Sequence, residues 1–268
     1  MSDRLGIMGK VLMEAKADNR TALIGYLPIG YPSVEGSLDA MRTVAEHADI
    51  IEIGMPYSDP MMDGLAIQYA TTKALASGVR TTDIFKATEA VRSAGKTPAV
   101  MIYWNLVERY GVKAFARDLA NAGGAGLITP DLIPDEADEW VEASDEYGLD
   151  RVFLIAPSST DERIAMTMDA CRGWVYATSV MGVTGARTET SSAAPVIVER
   201  ARKIRNDLPV CVGLGISNGK QAHETGKYAD AAIVGSALVK CLIDAEGSDQ
   251  PLGKLPEVAA DLGEGVKN

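Results

Sequence analysis

Short apolar segments alternate along the chain with longer segments in which apolar residues recur at helical spacing. Eight of the short segments have the composition of strands, at residues 22–26, 50–54, 98–103, 126–129, 151–155, 174–178, 209–213 and 231–234. The helical patterns between them include residues 34–48, 82–94, 112–122, 134–147 and 194–206. Continuously apolar strands that alternate with helices are typical of a parallel sheet whose two faces are both covered.

Eight strand–helix units predict an α/β fold, a single (β/α)8 TIM barrel. An extra N-terminal helix is predicted at residues 4–18, and a further helical segment at 64–77 lengthens the second unit. The alternative is an open doubly wound sheet, which usually carries a glycine-rich turn after its first strand, whereas that turn here reads LPIGYPS. No linker, charge block or repeat interrupts the pattern, so residues 1–268 are predicted to form one catalytic domain.

Composition narrows the class of protein. Apolar residues make up 47% of the chain, which is enough for a large core, and the net charge of −11 argues against nucleic acid and anionic membranes. An acidic protein that binds a phosphate must do so locally, with backbone amides. Three separated cysteines without a CxxC pair, and no long apolar run, predict a cytoplasmic protein with reduced thiols. The only histidines are His47 and His223, so no metal site is expected.

A glutamate interrupts the second predicted strand, Asp49-Ile-Ile-Glu-Ile-Gly54. Side chains alternate across a strand, so Ile51 and Ile53 share one face while Glu52 shares the other with Ile50. With the first pair against the helices, Glu52 points into the barrel. Burial then raises the pKa of its carboxyl and favours the protonated form, as a general acid/base requires. The alternative is a structural ion pair, but the nearby strands offer few cations.

A proline-punctuated loop with two aspartates follows that strand, and Asp63 stands before Gly64 at the start of a predicted helix. Aspartate is a common helix N-cap. It is also a common catalytic carboxylate at the C-terminal face of a barrel. The residue pattern alone leaves capping and catalysis open for Asp63.

Glycines after the last two strands predict a phosphate site. Gly213 and Gly215 follow the seventh strand, and Gly235 with Ser236 follows the eighth and opens a helix. Glycine lets the backbone approach an anion, and helix-start amides supply positive potential where barrels keep their phosphate sites. A third glycine loop at residues 182–185 lies in the polar segment after the sixth strand, which is typical of a lid. Ordinary turn glycines are the alternative.

Five motifs occur in one order along nearly the whole chain: IEIGMPYSDPMMDG (51–64), YWNLVERYG (103–111), MGVTGAR (181–187), GLGIS (213–217) and GSALVK (235–240). Together they resemble the tryptophan synthase α-subunit family. The first motif is the most specific, because few other barrels join a strand glutamate to a PxSDPxxDG loop. The resemblance implies a carbon–carbon lyase that cleaves indole-3-glycerol phosphate to indole and glyceraldehyde 3-phosphate in tryptophan biosynthesis.

The resemblance also implies roles for individual residues. Glu52 matches the family's general acid/base, Asp63 the second catalytic carboxylate that hydrogen-bonds the indole nitrogen, and Tyr176 a tyrosine near the catalytic glutamate. Thr184 matches the lid threonine. The remaining matched positions bind phosphate or line the indole pocket; the first set is Gly185, Gly215, Gly235 and Ser236, and the second is Tyr26, Met101 and Tyr103.

A partner is implied as well. The family works as an α₂β₂ assembly in which the β subunit holds pyridoxal phosphate and receives indole through a tunnel, so this chain is expected to need no cofactor. Asp59 and its loop match the surface that faces the β subunit. Some residues depart from the family pattern. Leu65-Ala66 stands where the family usually has Pro-Thr, Met62 replaces a smaller residue, and Val180 replaces an arginine or another polar residue. The lost proline makes the loop less pre-organised.

Three other functions stay open on the sequence. A freestanding indole-3-glycerol phosphate lyase would release indole without a β partner, and the loop departures fit it weakly. A weakly active paralogue would serve as an assembly or allosteric partner, although the intact pair Glu52 and Asp63 counts against it. Another phosphate-binding barrel, such as an isomerase of the same pathway, is disfavoured by the glutamate and its SDP loop.

Overall fold

A computed structural model of the chain describes residues 4–60, 63–178, 193–213 and 215–267. Within them, nine parallel strands form one sheet in the order β5-β4-β3-β2-β1-β9-β8-β7-β6. The strands are β1 Ala22–Pro28, β2 Ile50–Gly54, β3 Thr97–Met101, β4 Gly126–Ile128, β5 Asp150–Val152, β6 Leu154–Ile155, β7 Val175–Thr178, β8 Val210–Gly213 and β9 Ala231–Val234.

Helices lie between consecutive strands, except between β5 and β6, and most of them cover the outside of the sheet. They are α1 Gly6–Ala17, α2 Val34–Ala45, α3 Leu65–Ala76, α4 Asp83–Ser93, α5 Trp104–Tyr110, α6 Val112–Asn121, α7 Asp138–Tyr147, α8 Asp161–Ala170, α9 Ala193–Ile204, α10 Gly219–Gly226, α11 Ser236–Asp244 and α12 Leu255–Gly265. A 3₁₀ turn, Pro134–Glu136, precedes α7.

The two ends of the strand order are consecutive segments of one stretch of chain, and this closes the sheet. β5 pairs with β4, and β6, which begins two residues after β5 ends, pairs with β7. The fifth predicted strand is therefore observed as two short strands on either side of Phe153, whose carbonyl accepts the Tyr176 N–H at 3.1 Å. The prediction of a (β/α)8 barrel is confirmed.

The strands separate two hydrophobic clusters, as alternation predicts. On β2, Ile51 and Ile53 pack in the larger cluster between sheet and helices. Ile50 packs in the smaller cluster inside the barrel. Glu52 shares its face with Ile50, so the predicted orientation of the glutamate is confirmed. The barrel interior is filled by side chains below the level of this glutamate, and the C-terminal ends of the strands are left to carry polar groups.

The N-terminal helix α1 closes the bottom of the barrel. Its buried residues Met8, Leu12 and Ala15 belong to the interior cluster. Asp150, at the start of β5, accepts hydrogen bonds from the first-turn amides Met8 N–H, at 2.7 Å, and Ile7 N–H. A carboxylate at a helix N-terminus satisfies amides that have no partner within the helix. The predicted extra helix thus has a structural function as a plug.

Predicted and observed bounds agree closely where the hydrophobic pattern is strong. The ends of all eight predicted strands lie within two residues of the observed ends, counting β5 and β6 together. The patterns did not identify α5, α8 or α10. Both α8 (DERIAMTMDA) and α10 (GKQAHETG) contain few large apolar residues, so their helical periodicity is weak. In the part of the chain that the structure describes, no helix has the length and apolar character needed to cross a membrane.

The plug function of α1 can be tested with two adjacent residues. Replacing the fully buried Leu12 with alanine leaves a cavity, so we expect the free energy of unfolding to fall by about 2–5 kcal/mol. The matched control is Met13→Ala, because the Met13 side chain is 41% exposed. Chemical denaturation measures both variants. Equal stability of the two variants would show that α1 does not belong to the core.

Candidate active site

Glu52 lies near the C-terminal end of β2, between two strands that hold it in register. Its Cα pairs with Tyr26 on β1 and with Ala99 on β3. The residue is 1% exposed, and its Oε2 atom has no hydrogen-bond partner among the described residues. Burial, and secondarily the nearby charge of Asp63, raise the pKa of this carboxyl to about 8. At neutral pH the Glu52 side chain therefore carries a proton.

Asp63 lies just before α3 and is 4% exposed. The N-cap position of that helix is occupied by Gly64, which has no side chain, so capping does not account for the aspartate. Its backbone carbonyl accepts a hydrogen bond from Gln68 Nε2 at 2.7 Å, which ties the residue to the first turn of α3. Burial raises the pKa of the Asp63 carboxyl to about 6. This carboxyl is mostly ionised at neutral pH.

The two carboxyls affect the pKa of each other's neighbours in the site. The charge of Asp63 raises the pKa of Glu52, and both charges raise the pKa of the phenols of Tyr26 and Tyr176, for which burial is the main cause. The groups are therefore close enough to interact electrostatically. One site holds a protonated carboxyl and an ionised carboxylate side by side, and such a split is characteristic of acid/base catalysis.

Tyr176 reaches the site across a glycine. It lies on β7, where its Cα pairs with Cys211 on the neighbouring strand. A Cβ built on Gly213 would lie only 2.1 Å from the Tyr176 hydroxyl. The missing side chain at Gly213 therefore makes room for this phenol, a function that the glycine pattern alone did not indicate. Because burial holds the pKa of Tyr176 well above its ordinary value, the hydroxyl stays neutral.

Aromatic side chains form the wall around the carboxyls. Tyr103, which is buried and precedes α5, stacks on Tyr57 with ring centroids 4.4 Å apart and an interplanar angle of 18°. Tyr26 covers Gly54, where a Cβ would lie 2.3 Å from the Tyr26 hydroxyl. Met101, partly buried, packs against both hydrophobic clusters. The three residues predicted for the indole pocket thus lie on β1, β3 and the turn after β3, beside β2.

Tyr57 was missed from the sequence. It belongs to the loop that follows β2, and its ring fixes that loop to Tyr103. The available signal was an aromatic residue inside the PYSDP segment, directly after the glutamate strand. Nothing local indicates its partner, because the contact joins two different strand–helix units.

Four of the predicted phosphate residues, Gly213, Gly215, Gly235 and Ser236, lie at or just after the ends of the paired strands β8 and β9. Gly215 has a φ of +73°, which favours glycine. Gly235 is the N-cap of α11, and the first bond of that helix runs from Val239 N–H to the Gly235 carbonyl at 3.0 Å. The amides of Ser236 and the next two residues consequently have no partner within the helix. A Cβ on Gly235 would lie 3.1 Å from the Tyr26 ring, so the start of α11 lies beside the aromatic wall.

Several predicted residues cannot be compared with the structure. Thr184 and Gly185, together with the departures Met62 and Val180, lie outside the described residues. Among the described residues, no group of three or more His, Cys, Asp or Glu is arranged to hold a metal ion. The described site therefore consists of two carboxyls, an aromatic wall and a helix N-terminus.

A family model described as tryptophan synthase alpha chain matches residues 12–267. The chain belongs to the tryptophan synthase alpha chain family. Tryptophan synthase alpha chains from Salinispora tropica and Mycobacterium marinum are 55% and 56% identical to it over 261 residues. These matches cover 97% of this chain in both cases, and 97% and 94% of the respective relatives.

Solved structures of tryptophan synthases have the same fold. A structure of Mycobacterium tuberculosis tryptophan synthase matches with a TM-score of 0.92 and 54% identity, covering 98% of this chain and 99% of that one. The tryptophan synthase complex from Pyrococcus furiosus matches with a TM-score of 0.82 and 31% identity, covering 91% and 98%. Membership of the alpha chain family makes this chain a lyase, so the alternative of an isomerase of the same pathway is wrong.

The burial of Glu52 predicts a specific pH dependence of stability. The folded-state pKa is about 8 and the ordinary value is 4.5, so the folded chain binds more protons between these pH values. The contribution of Glu52 to stability therefore falls as pH rises from 4.5 to 8 and is constant above that. We expect the Glu52→Gln variant, which does not titrate, to gain several kcal/mol of unfolding free energy relative to wild type across this window.

Urea denaturation at a series of pH values measures this difference. The matched control is Glu224→Gln, whose glutamate is exposed in an ion pair with Lys227. Parallel stability curves for wild type and Glu52→Gln would contradict a desolvated, protonated glutamate.

Proposed function

We propose that residues 1–268 form one catalytic domain in which Glu52 and Asp63 carry out the reversible cleavage of indole-3-glycerol phosphate to indole and glyceraldehyde 3-phosphate. One observation carries the assignment of roles. The two buried carboxyls have pKa values of about 8 and about 6, so at neutral pH one is an acid and the other an anion. The reaction needs both.

Glu52 is the proton donor in this mechanism. Its carboxyl transfers a proton to the indole ring carbon that bears the side chain, and the ring becomes a cationic indolenine. The carboxylate formed then accepts the proton of the adjacent hydroxyl while the carbon–carbon bond breaks, which yields the aldehyde and returns the bonding electrons to the ring. The glutamate ends the cycle protonated, as it began. A pKa near 8 suits both steps, since efficient acid/base groups titrate near the working pH.

Asp63 stabilises the charge that appears on the ring. Its carboxylate accepts a hydrogen bond from the indole N–H, and this bond strengthens when the ring becomes cationic. An oriented charge in a dry site lowers the energy of such an intermediate without solvent reorganisation. The link from the Asp63 carbonyl to Gln68 holds the backbone of the aspartate to α3 and limits its movement.

The aromatic residues shape the pocket for the indole. Tyr26, Tyr103 and Met101 provide apolar and π surface beside Glu52, which excludes water and orients the ring. The neutral phenol of Tyr176 contacts the glutamate side of the pocket, where its hydroxyl is a hydrogen-bond donor to the carboxylate state of Glu52. Thr184 completes the pocket as a lid residue in this proposal.

The phosphate is held by backbone amides. The first-turn amides of α11, beginning at Ser236, and the approach allowed by Gly215 and Gly235 supply positive potential without a lysine. Gly185 is proposed to add a further contact. Gly213 is proposed to border the same corner, although its clearest structural function is to accommodate Tyr176. Local amides also fit a chain with a net charge of −11.

The proposed partner is a tryptophan synthase β subunit, in an α₂β₂ assembly that passes indole through a tunnel. Support comes from the C-terminal face of the barrel, where Asp59 is exposed and Leu65 is 82% exposed. This leucine lies beside the active-site loop, where its apolar side chain is available for contact with another chain. Pyridoxal phosphate belongs to the β subunit in this proposal, because Glu52 makes both proton transfers of the alpha reaction and Asp63 stabilises the charge between them.

Two smaller proposals complete the function. The departure Leu65-Ala66 leaves the start of α3 intact, since Leu65 is exposed at the first helical position and Ala66 packs on the core. We therefore expect an active site rather than a disabled one. A cytoplasmic location is proposed on the grounds of cysteine usage, and the three cysteines are free and buried.

The assay that tests the function measures indole released from indole-3-glycerol phosphate, by the purified chain alone and with a β subunit from the same source. We expect slow release that rises strongly when the β subunit is present. Fast release without the β subunit would instead identify a freestanding lyase. Absence of release in both assays, with phosphate binding retained, would support the assembly partner and refute the proposed function.

The roles of the carboxyls can be separated by mutation. We expect Glu52→Gln to lower the cleavage rate by about 10²–10⁴-fold, because the amide cannot transfer a proton. Asp63→Asn should lower the rate by about 10²–10³-fold, because a neutral amide does not stabilise the cationic ring. Affinity for glycerol 3-phosphate, measured by calorimetry, should stay within about twofold in both variants, since neither touches the phosphate. Full activity in either variant would contradict its assigned role.

A further inference from the structure

Three side chains converge on one carboxylate, that of Glu246, behind the active site. Glu246, just beyond the end of α11, accepts hydrogen bonds from Tyr31 Oη at 2.6 Å and from Tyr69 Oη at 2.8 Å. Lys73 Nζ donates to both carboxylate oxygens at 3.0 Å and lies 4.7 Å from the centre of the Tyr69 ring. The rings of Tyr31 and Tyr69 meet edge to face. We call Tyr31, Tyr69, Lys73 and Glu246 the Glu246 cluster.

The Glu246 cluster is stronger than an ordinary surface ion pair. The Tyr31 hydroxyl, the Lys73 ammonium and the Tyr69 hydroxyl, in that order of effect, lower the pKa of Glu246 to about 2, so the carboxylate is charged at any working pH. Charge-assisted bonds from several donors exceed the value of a single exposed pair. Tyr31 is only 1% exposed, so its phenol depends on Glu246 as a partner.

The Glu246 cluster joins three segments of the chain, and two of them are helices that begin at the candidate site. Tyr69 and Lys73 belong to α3, the helix that begins directly after Asp63-Gly64. Glu246 follows α11, the helix whose first turn is the proposed phosphate site. Tyr31 lies in the connection between β1 and α2. The helices α3 and α11 also pack against each other. One carboxylate therefore ties the helix behind the catalytic aspartate to the helix that holds the phosphate.

We propose that Glu246 is a positioning residue that fixes the distance between Asp63 and the amide end of α11. The inference rests on the proposed function and deepens it. A substrate held at its phosphate by α11 and at its ring nitrogen by Asp63 spans both helices. Its reacting carbon meets Glu52 only when the two helices keep one spacing. Small misplacements of reacting groups cost far more in rate than in binding.

The variant Glu246→Gln tests this with little change of shape. An amide oxygen in the place of Oε1 still accepts from Tyr31 and Lys73, but the amide nitrogen in the place of Oε2 cannot accept from Tyr69 or from Lys73, and the charge that attracts Lys73 is lost. The matched control is Asp244→Asn, two residues earlier, whose carboxylate forms an ion pair within α11, with Lys240. Both variants neutralise one carboxylate near the end of the same helix, and the control leaves the connection to α3 in place.

We expect kcat for indole release to fall by about tenfold in Glu246→Gln, with the affinity for glycerol 3-phosphate unchanged within about twofold. Asp244→Asn should keep both values. Equal kcat in the two variants would overturn the proposal. So would a parallel loss of kcat and affinity in Glu246→Gln, because that result describes general damage to the fold instead of a changed spacing.

Amide hydrogen exchange provides a readout that does not require cleavage. Glycerol 3-phosphate bound at α11 should slow exchange in the first turn of α3 in wild type and in Asp244→Asn, and not in Glu246→Gln. Absence of this protection in wild type, or its persistence in Glu246→Gln, would refute the coupling. Protection in a wild-type chain that releases no indole, with or without its β subunit, would refute the proposed reaction alone and leave the link between the two helices intact.

Discussion

The structure depends on a buried carboxyl group, one of whose oxygens has no hydrogen-bond partner among the described residues. Glu52 is fully enclosed in the barrel, with one oxygen unbonded among the described residues, and the desolvation raises the pKa of the group to about 8. A lysine or arginine beside it would lower the pKa of the carboxyl and hold it ionised. The site instead surrounds it with phenols and apolar side chains. A loss of stability at neutral pH thus accompanies the acid that the reaction needs, as expected for a functional site.

The glycines around this site are as important as its large side chains. Gly54 lies under Tyr26, and Gly213 lies under Tyr176, with no room for a Cβ at either position. The phenols of Tyr26 and Tyr176 fit over these strands only because Gly54 and Gly213 lack side chains. The pocket wall and the strands that carry it are therefore constrained together, and a conservative change at either glycine would move a tyrosine instead of merely altering a turn.

Much of the fold and the centre of the site could be predicted, because both follow from local periodicity. Alternation along one strand orients Glu52, and apolar runs locate the eight strands. Asp63 needed the family resemblance, since its position before a helix also suits a cap; the structure shows Gly64 at the cap. Tyr57 against Tyr103, and Glu246 against Tyr69, were not predictable: such contacts join distant units, and tertiary packing decides them. The roles of all the predicted site residues stay predictions, and Thr184 and Gly185 also lie outside the described residues.

The helix that closes the lower end of the barrel has a consequence for the chemistry above it. Met8, Leu12 and the capping carboxylate of Asp150 close this end of the interior, so the proposed function requires substrate to enter at the other end. Among the described residues, helix α1 closes the lower route between the proton on Glu52 and bulk water. In the proposed mechanism, bound substrate covers the other end, and Glu52 exchanges one hydrogen between the ring carbon and the hydroxyl. Hydrogen isotopes should consequently pass between substrate positions faster than they wash out into solvent.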